Sequence, residues 1–537
     1  ATVDGQLVSL DAETGAENWK TNFCPEDTGM ICGTTGAPRI VKDKIIVGNA
    51  HSEWGARGFV AAFFTNNGQL AWRFYTVPGN PSKDFENELM EMAAETWTGE
   101  WWKFGGGGTV WDSMAYDSSA DILYVGTGNG APWNRRIRSP EGGDNLFLSS
   151  ILALNPDTGE LLWYFQESPK DTWDHTATQH MILTELKTGS RSQKVLMQAP
   201  KNGFFYVLDR LTGKFISGTK YVKEMNWASG LDENGHPIEV AGADYTEPRF
   251  IKPGTIGGHN WQPMSYSPRT GLVYLPAHET QKWLKSPKTK FLPQPGVFRP
   301  GIDSEFSVPE EKMDAQRGDA ADEGYLLAWD PVKQEPAWRY RHKHFWNGGV
   351  LSTAADLVFQ GTADGHLMAF DAVSGEKLWE FYVDMGILAP PITYRYNGEQ
   401  YISVLTGWGG CHVRYTGGPA RLLTFKRGGK ASLPIAPQKT AKDLKPVAFK
   451  YNDQEVKRGK RLFDFICLGC HDGISFIPDL RYSSESVFNV FDVMVNAGMT
   501  QVGMPAFKRD LNTDQINAIK HYILNERKKL VDSANEN

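Results

Sequence analysis

One motif recurs along the chain and limits what it can fold into. A short apolar run ends in Asp or an equivalent, Gly follows four residues on, and Trp four after that. It stands as Asp11, Gly15 and Trp19, as Asn155, Gly159 and Trp163, and as Asp371, Gly375 and Trp379. Degenerate copies are Phe64, Gly68 and Trp72; Asp209, Gly213 and Ser217; and Asp330 with Trp338, where Glu335 and Pro336 replace the turn chemistry. Each copy reads as strand, turn, strand: Gly supplies the positive φ, and the Asp side chain can bond its own turn amides. The Trp then plugs the gap to the neighbouring unit. Spacings run from 41 residues (Asp330 to Asp371) to 121 (Asp209 to Asp330), so some units carry long insertions. A period near 40–50 residues with a Trp per repeat predicts a β-propeller, against the blander alternative of a β-sandwich with coincidental turns. The 18 Trp and 55 Gly fit an all-β chain of tight turns and aromatic plugs. Propellers bury a site at the axis of the disc, where inner loops converge.

At 537 residues the chain can bury a large core and hold more than one domain. A net charge of −7 argues against a nucleic-acid partner, which needs a basic face. No apolar run reaches the ~18 residues of a membrane span. The chain opens at Ala1-Thr2-Val3-Asp4-Gly5, already inside a strand-turn-strand pattern and with no signal peptide, which reads as a truncation or internal boundary. Of its cysteines, Cys24 and Cys32 either close a small loop in an oxidising compartment or stay as two thiols. Cys411 is expected to be a buried small hydrophobe.

Composition shifts after Arg427-Gly428-Gly429-Lys430 to a Pro- and Lys-rich linker, 429–447. A helical pattern from Asn452 to Phe465 then leads into Cys467-Leu468-Gly469-Cys470-His471. Cys-x-x-Cys-His is the haem c attachment motif: both thiols add to the haem vinyl groups and the His becomes an axial iron ligand. A zinc knuckle would want a second Cys/His pair, and a redox dithiol a βαβ context; neither is present. Met504, in Gly503-Met504-Pro505-Ala506-Phe507, is the natural sixth ligand, with Met499 as rival. A closing helix over 512–529 is capped by Asn512 or Thr513. Haem c is attached outside the cytoplasm, so the protein is expected to be periplasmic or otherwise exported.

Within the propeller, Trp173-Asp174-His175-Thr176-Ala177-Thr178-Gln179 sets an acid between a Trp and small polar residues. Asp174 reads as a turn residue or as a catalytic base.

A propeller joined to a C-terminal haem c resembles the quinohaemoprotein alcohol dehydrogenases, pyrroloquinoline quinone (PQQ) enzymes of the methanol/ethanol dehydrogenase family. The stretches that carry the resemblance include Thr35-Gly36-Ala37-Pro38-Arg39, Gly106-Gly107-Gly108-Thr109-Val110-Trp111-Asp112-Ser113, Gly126-Thr127-Gly128-Asn129, Lys201-Asn202-Gly203, Asn260-Trp261-Gln262-Pro263-Met264 and Gly407-Trp408-Gly409-Gly410. It implies an eight-bladed all-β propeller, its first blade segment incomplete, that binds PQQ over 1–428, and a small all-α cytochrome c domain over 448–537. It implies that Trp111 floors the quinone and that Glu53, the amide oxygen of Asn129 and Asp174 surround Ca²⁺, a cation that takes hard oxygen ligands. By the same resemblance Asp174 is the base, Lys201 hydrogen-bonds the quinone oxygens, and Thr35, Thr109, Asn260, Trp261, Trp408 and Gly409 make further cofactor contacts. Thr176 stands where the lanthanide-using branch has an additional Asp, which points to Ca²⁺. The implied reaction takes an alcohol to an aldehyde and passes electrons through the haem to an external acceptor such as a cytochrome c or blue-copper protein. The implied protein is monomeric, without a membrane span.

Three features depart from the family. Ala50-His51-Ser52-Glu53 replaces Gly-Gly-Ala-Glu, putting an imidazole where backbone lies near a cofactor carboxylate. No adjacent Cys-Cys pair exists to cover the quinone, and the Arg that meets a cofactor carboxylate is absent with it. Alternatives to a small-alcohol enzyme are a polymer or cyclic-alcohol dehydrogenase and a quinone-less propeller that scaffolds the cytochrome. Loops around Trp97, Trp101, Trp102 and 293–300 are expected to line the entrance.

Overall fold

The computed structural model describes all residues except 3, 26–31, 189–190, 295, 304–307, 317–321, 409–417, 435–443, 451, 469, 472–476, 500–503 and 537. Gly409, Cys411, Gly503 and much of the linker therefore lie outside the described residues.

Among the described residues seven antiparallel sheets follow one another along the chain, with three further two-stranded ladders in the connections between them. A two-stranded ladder, Gln6–Leu10 with Glu17–Asn22, precedes five four-stranded sheets, and a three-stranded sheet, Ile392–Tyr396 to Arg421–Lys426, follows them. Central strands such as Phe59–Phe64 and Phe204–Asp209 are buried runs, because each is covered on both faces. Consecutive sheets share hydrophobic cores. Val41, Ile46 and Val60 pack with Leu123, Val125 and Leu152; Ile151 and Phe165 with Leu196 and Tyr206; Val207 with Val273 and Leu327. This is propeller stacking. No described strand pairs the first sheet with the last, so no shared sheet closes a ring.

The repeat builds the seams. In each intact copy the Gly amide donates to the carbonyl of the residue four back, and Gly68, Gly159 and Gly375 have φ of 69°, 76° and 75°. The Trp of one unit lies on the Gly of the next: a Cβ added to Gly68 or to Gly159 would stand 2.5 Å from Trp19 or Trp72. Trp19, Trp72 and Trp338 each donate Nε1–H across the seam, to Thr65 O, Pro156 O and Ala372 O at 3.0, 3.0 and 3.1 Å. The Asp330 copy differs from expectation. Gln334, at φ 58°, holds the glycine position, and its Nε2 donates to Ser217 Oγ at 3.2 Å. Where the preceding unit has lost its Trp, the next has no need of Gly, and a polar bond replaces the aromatic plug. Gly159→Ala is expected to cost about 1–3 kcal/mol of urea-measured stability from its left-handed φ and its contact with Trp72. Repeating the substitution in a Trp72→Ala background should leave only the backbone part.

Cys24 and Cys32 are disulfide-bonded, with Cα atoms 5.9 Å apart, which settles that open alternative. At the C-terminal end the helix Asp453–Ile466 is capped by Asn452 Oδ1, which accepts from Gln454 N at 3.0 Å. It packs on the helix Thr513–Glu536, capped by Asn512, so closely that a Cβ on Gly459 would enter the Ala518 carbonyl. Among the described residues no helix is long and apolar enough to cross a membrane.

Candidate active site and haem pocket

Glu53 rides on a single helical turn, Ser52–Trp54, bounded by residues in left-handed conformation: His51 at φ 76° and Gly55 at φ 96°. His51 accordingly serves the backbone. Its carbonyl accepts from Trp54 N and Ala56 N, and its ring meets Trp54 edge-on at 5.6 Å. Ser52 Oγ and Thr109 Oγ1 share a buried hydrogen bond of 2.8 Å. A short ladder, Gly106–Gly107 with Gly130–Ala131, draws Asn129 to the same place. Only glycine fits at Gly107, where any Cβ would strike the Asn129 carbonyl. Glu53 Oε1 accepts from Asn129 Nδ2 at 2.8 Å and from Trp133 Nε1 at 2.9 Å. Asn129 Nδ2 also reaches Gly130 O at 3.1 Å, which leaves Oδ1 as an acceptor for a cation.

Asp174 has φ 63°, so it is a turn residue, and the turn sets the direction of its acid. Asp171 builds that turn. Its Oδ1 accepts from the amides of Trp173 at 3.1 Å and His175 at 3.0 Å, while the wholly buried Arg138 donates to the Asp171 carbonyl. Neither Asp171 nor Arg138 stands out in the sequence, although an Asp bonding amides two and four residues on is an Asx-turn pattern. Lys201 Nζ donates to Asp174 Oδ2 at 3.0 Å. Burial holds the Asp174 carboxyl well above the usual range, with Lys201 opposing the rise and Glu53 adding to it. The Glu53–Asn129 and Asp174–Lys201 pairs thus share one electrostatic site. Burial likewise pushes Asp171 up to about 6, against the pull of Arg138, and drives His175 down to about 3, so that imidazole is neutral. Among the described residues no three His, Cys, Asp or Glu side chains cluster as a metal cage.

Trp111 is half-buried, and Thr35 Oγ1 donates to its carbonyl at 3.1 Å. A Cβ on Gly128 would lie 3.3 Å from the Trp111 indole, so the residue before Asn129 rests against that ring. Asn260 Oδ1 accepts from Trp261 N at 2.9 Å, and Trp261 and Trp408 pack on one aromatic cluster with Phe345 and Trp346. At the expected entrance the Trp97 and Trp101 side chains themselves are 4% and 3% exposed, in a core with Val77 and Leu148, while Lys103 and Phe104 of the same Trp101–Phe104 turn face a cleft beside Glu53. That small cleft is walled by Phe104, Phe291, Val297 and Arg299, so residues of both expected loops meet there.

A second cavity lies in the helical unit between Phe463, Leu468, His471, Leu480, Tyr522 and Ile523. His471 Nδ1 bonds Pro478 O at 2.8 Å, which assigns the proton to Nδ1 and leaves Nε2 for a metal. The turn after the Asp453–Ile466 helix stacks the motif, with Cys470 N and His471 N both donating to Cys467 O at 3.1 and 2.8 Å. Met504 packs on the same core; Met499, bridged to it by backbone bonds, is 45% exposed. The residues present fit a covalently attached haem with Met504 as the better-sited thioether.

The family model described as PQQ glucose/ethanol/alcohol dehydrogenase β-propeller domain matches residues 1–227 and 330–402. The quinohemoprotein alcohol dehydrogenase ADH IIB of Pseudomonas putida is 46% identical over 552 aligned residues, covering 97% of this chain and 77% of that protein. The chain belongs to this quinoprotein family. The crystal structure of the quinohemoprotein alcohol dehydrogenase from Comamonas testosteroni matches with a TM-score of 0.81 at 43% identity, over 98% of this chain and 79% of that one. A europium-containing methanol dehydrogenase matches with a TM-score of 0.66 at 32% identity, over 76% and 71%. Against the quinoprotein fold, the 228–329 segment falls between the two stretches of the family match.

Proposed function

We propose that this chain is a quinohaemoprotein alcohol dehydrogenase that oxidises an alcohol to an aldehyde and sends the electrons through its own haem c to an external acceptor, such as a cytochrome c or blue-copper protein. The observation that carries this reading is the buried Asp174–Lys201 pair set in the field of the Glu53–Asn129 pair. When bound, PQQ with Ca²⁺ supplies a two-electron acceptor and a Lewis acid, and haem c a one-electron relay.

In this reading Asp174 takes the hydroxyl proton on Oδ1, the oxygen that Lys201 does not hold. Lys201 keeps the carboxyl oriented and has N–H groups left for the quinone oxygens. Glu53, Asn129 Oδ1 and Asp174 hold the cation; Trp111 floors the ring; Thr35, Thr109, Asn260, Trp261, Trp408 and Gly409 are its other contacts. Cys467 and Cys470 carry the haem, with His471 and Met504 as axial ligands. Calcium is supported over a trivalent ion by Thr176, whose hydroxyl is tied to Thr178 and Gln179 where a further carboxylate would be needed. A small-molecule alcohol is supported over a polymer by the modest cleft beside Glu53. Eight blades, a propeller over 1–428, a linker over 429–447, a separate cytochrome over 448–537, a monomeric state and a periplasmic location belong to the same proposal.

A visible spectrum tests it. Protein supplied with PQQ and Ca²⁺ should develop sharp reduced-haem bands on adding ethanol or another primary alcohol, and not when either addition is omitted. A haem that dithionite reduces and no alcohol does would overturn the reading.

A further inference from the structure

Between the strands Leu272–Glu279 and Glu323–Asp330 the chain leaves its sheet and returns, and part of that excursion ends inside the helical unit. Val308 and Met313, 4% and 3% exposed, share one hydrophobic core with Leu462, Phe463, Ile466, Ile516 and Ile519 of the two cytochrome helices. Glu310 is forked on Arg458: Nε donates to Oε1 at 2.8 Å and Nη2 to Oε2 at 3.0 Å, with Arg461 Nη2 at 3.5 Å from Oε1. On the other side Lys312 Nζ sits 4.4 Å from the centre of the Trp283 ring, and Trp283 stands edge-on to Phe250 at 5.0 Å across the Arg249–Ile251 and Lys282–Leu284 ladder.

We propose that residues 308–313 are a strap by which the propeller grips the cytochrome, with Glu310 as the positioning residue that sets the haem unit for internal electron transfer. The apolar pair inserts, and the carboxylate fork fixes orientation, since a bidentate Arg–carboxylate pair specifies angle as well as distance. Without such a grip the two units would be joined by 429–447 alone, and a coil of that length spans roughly 25 Å on average, so the units would move independently. Electron transfer falls steeply with distance, so a unit held in one pose outpaces one on a free tether. The strap lies in the 228–329 segment, between the two stretches of the family match.

The inference rests on the proposed function for its kinetic readout alone. The test uses the full-length protein with haem, PQQ and Ca²⁺, comparing the parent with Glu310→Arg, Glu310→Gln and the charge swap Glu310→Arg/Arg458→Glu. Three quantities are read: haem reduction after mixing with ethanol, reduction of a small dye that takes electrons at the propeller site, and thermal unfolding followed separately by the haem band and by tryptophan fluorescence. Glu310→Arg should slow haem reduction at least about tenfold while dye reduction stays within about twofold, because the barrier raised is conformational rather than chemical. Its two unfolding curves should separate where the parent's coincide, Glu310→Gln should lie between, and the swap should restore both. Unchanged haem reduction in Glu310→Arg, or a swap no better than the single change, would overturn the strap's role. If the parent reduces neither haem nor dye, the proposed function fails, and coincident curves in Glu310→Arg would then reject the strap independently.

Discussion

Asp174→Asn is expected to stop alcohol turnover while the fold and the haem spectrum stay as they are. The substitution is nearly isosteric, and Asn tolerates the left-handed φ of 63° as well as Asp does. The turn survives because Asp171 holds it through the amides of residues 173 and 175 and not through the Asp174 side chain. Lys201 keeps an acceptor in the amide oxygen. What is lost, on the proposed mechanism, is the site that receives the hydroxyl proton, and an amide cannot replace a carboxylate there at any accessible pH. Positioned general bases contribute about 10²- to 10⁴-fold, so kcat should fall by roughly 10³. Steady-state turnover with an artificial acceptor measures it, and the visible spectrum checks that the haem unit is intact. A variant that keeps more than a tenth of the parent rate would remove Asp174 from the role of base.

The repeat, the haem motif and the acid after Trp173 are legible in the sequence because each is local. A turn, a Cys-x-x-Cys-His and a capped helix are decided by residues a few positions apart. What a residue does across space is legible only in part. The Trp can be read as a plug to the next unit, yet Gln334 and Ser217, 117 residues apart, compensate each other in a way no single copy of the motif reveals. Trp97 and Trp101 mark a loop whose Lys103 and Phe104 face the cleft, but a tryptophan in a loop can face either way, and here both indoles face the core. His51 reads in the sequence only as added bulk, and the left-handed backbone by which it opens the Glu53 turn shows only in the fold. Arg138 and Asp171 act through one carbonyl and two amides, contacts that leave no pattern except in three dimensions. Likewise Glu310 and Arg458, 148 residues apart, are ordinary surface charges until the fold sets them face to face.

Lys201→Met should move the acid side of the pH–rate profile to higher pH, and the sign follows from the charges around Asp174. The base works only when ionised. Burial raises its pKa, Glu53 raises it further, and among the protein's own groups Lys201 pulls it down most, alongside the proposed cation. Removing an opposite charge from 3.0 Å takes that pull away, so the apparent pKa rises. At a fixed pH on the acid side, the rate drops about tenfold each time the pKa climbs by one, and it recovers once the pH passes the new limb. Stability obeys the same linkage. A carboxyl whose folded pKa lies above its unfolded value stabilises the protein below the unfolded pKa and loses that contribution as pH rises through the folded pKa, so the variant should keep it to higher pH than the parent. The profile of kcat/KM against pH separates this from a simple binding role for Lys201. If Lys201 only holds the quinone, the whole profile drops and the limb stays where it was. If it tunes the base, the limb itself moves, and activity returns in alkali in a way that Asp174→Asn never allows.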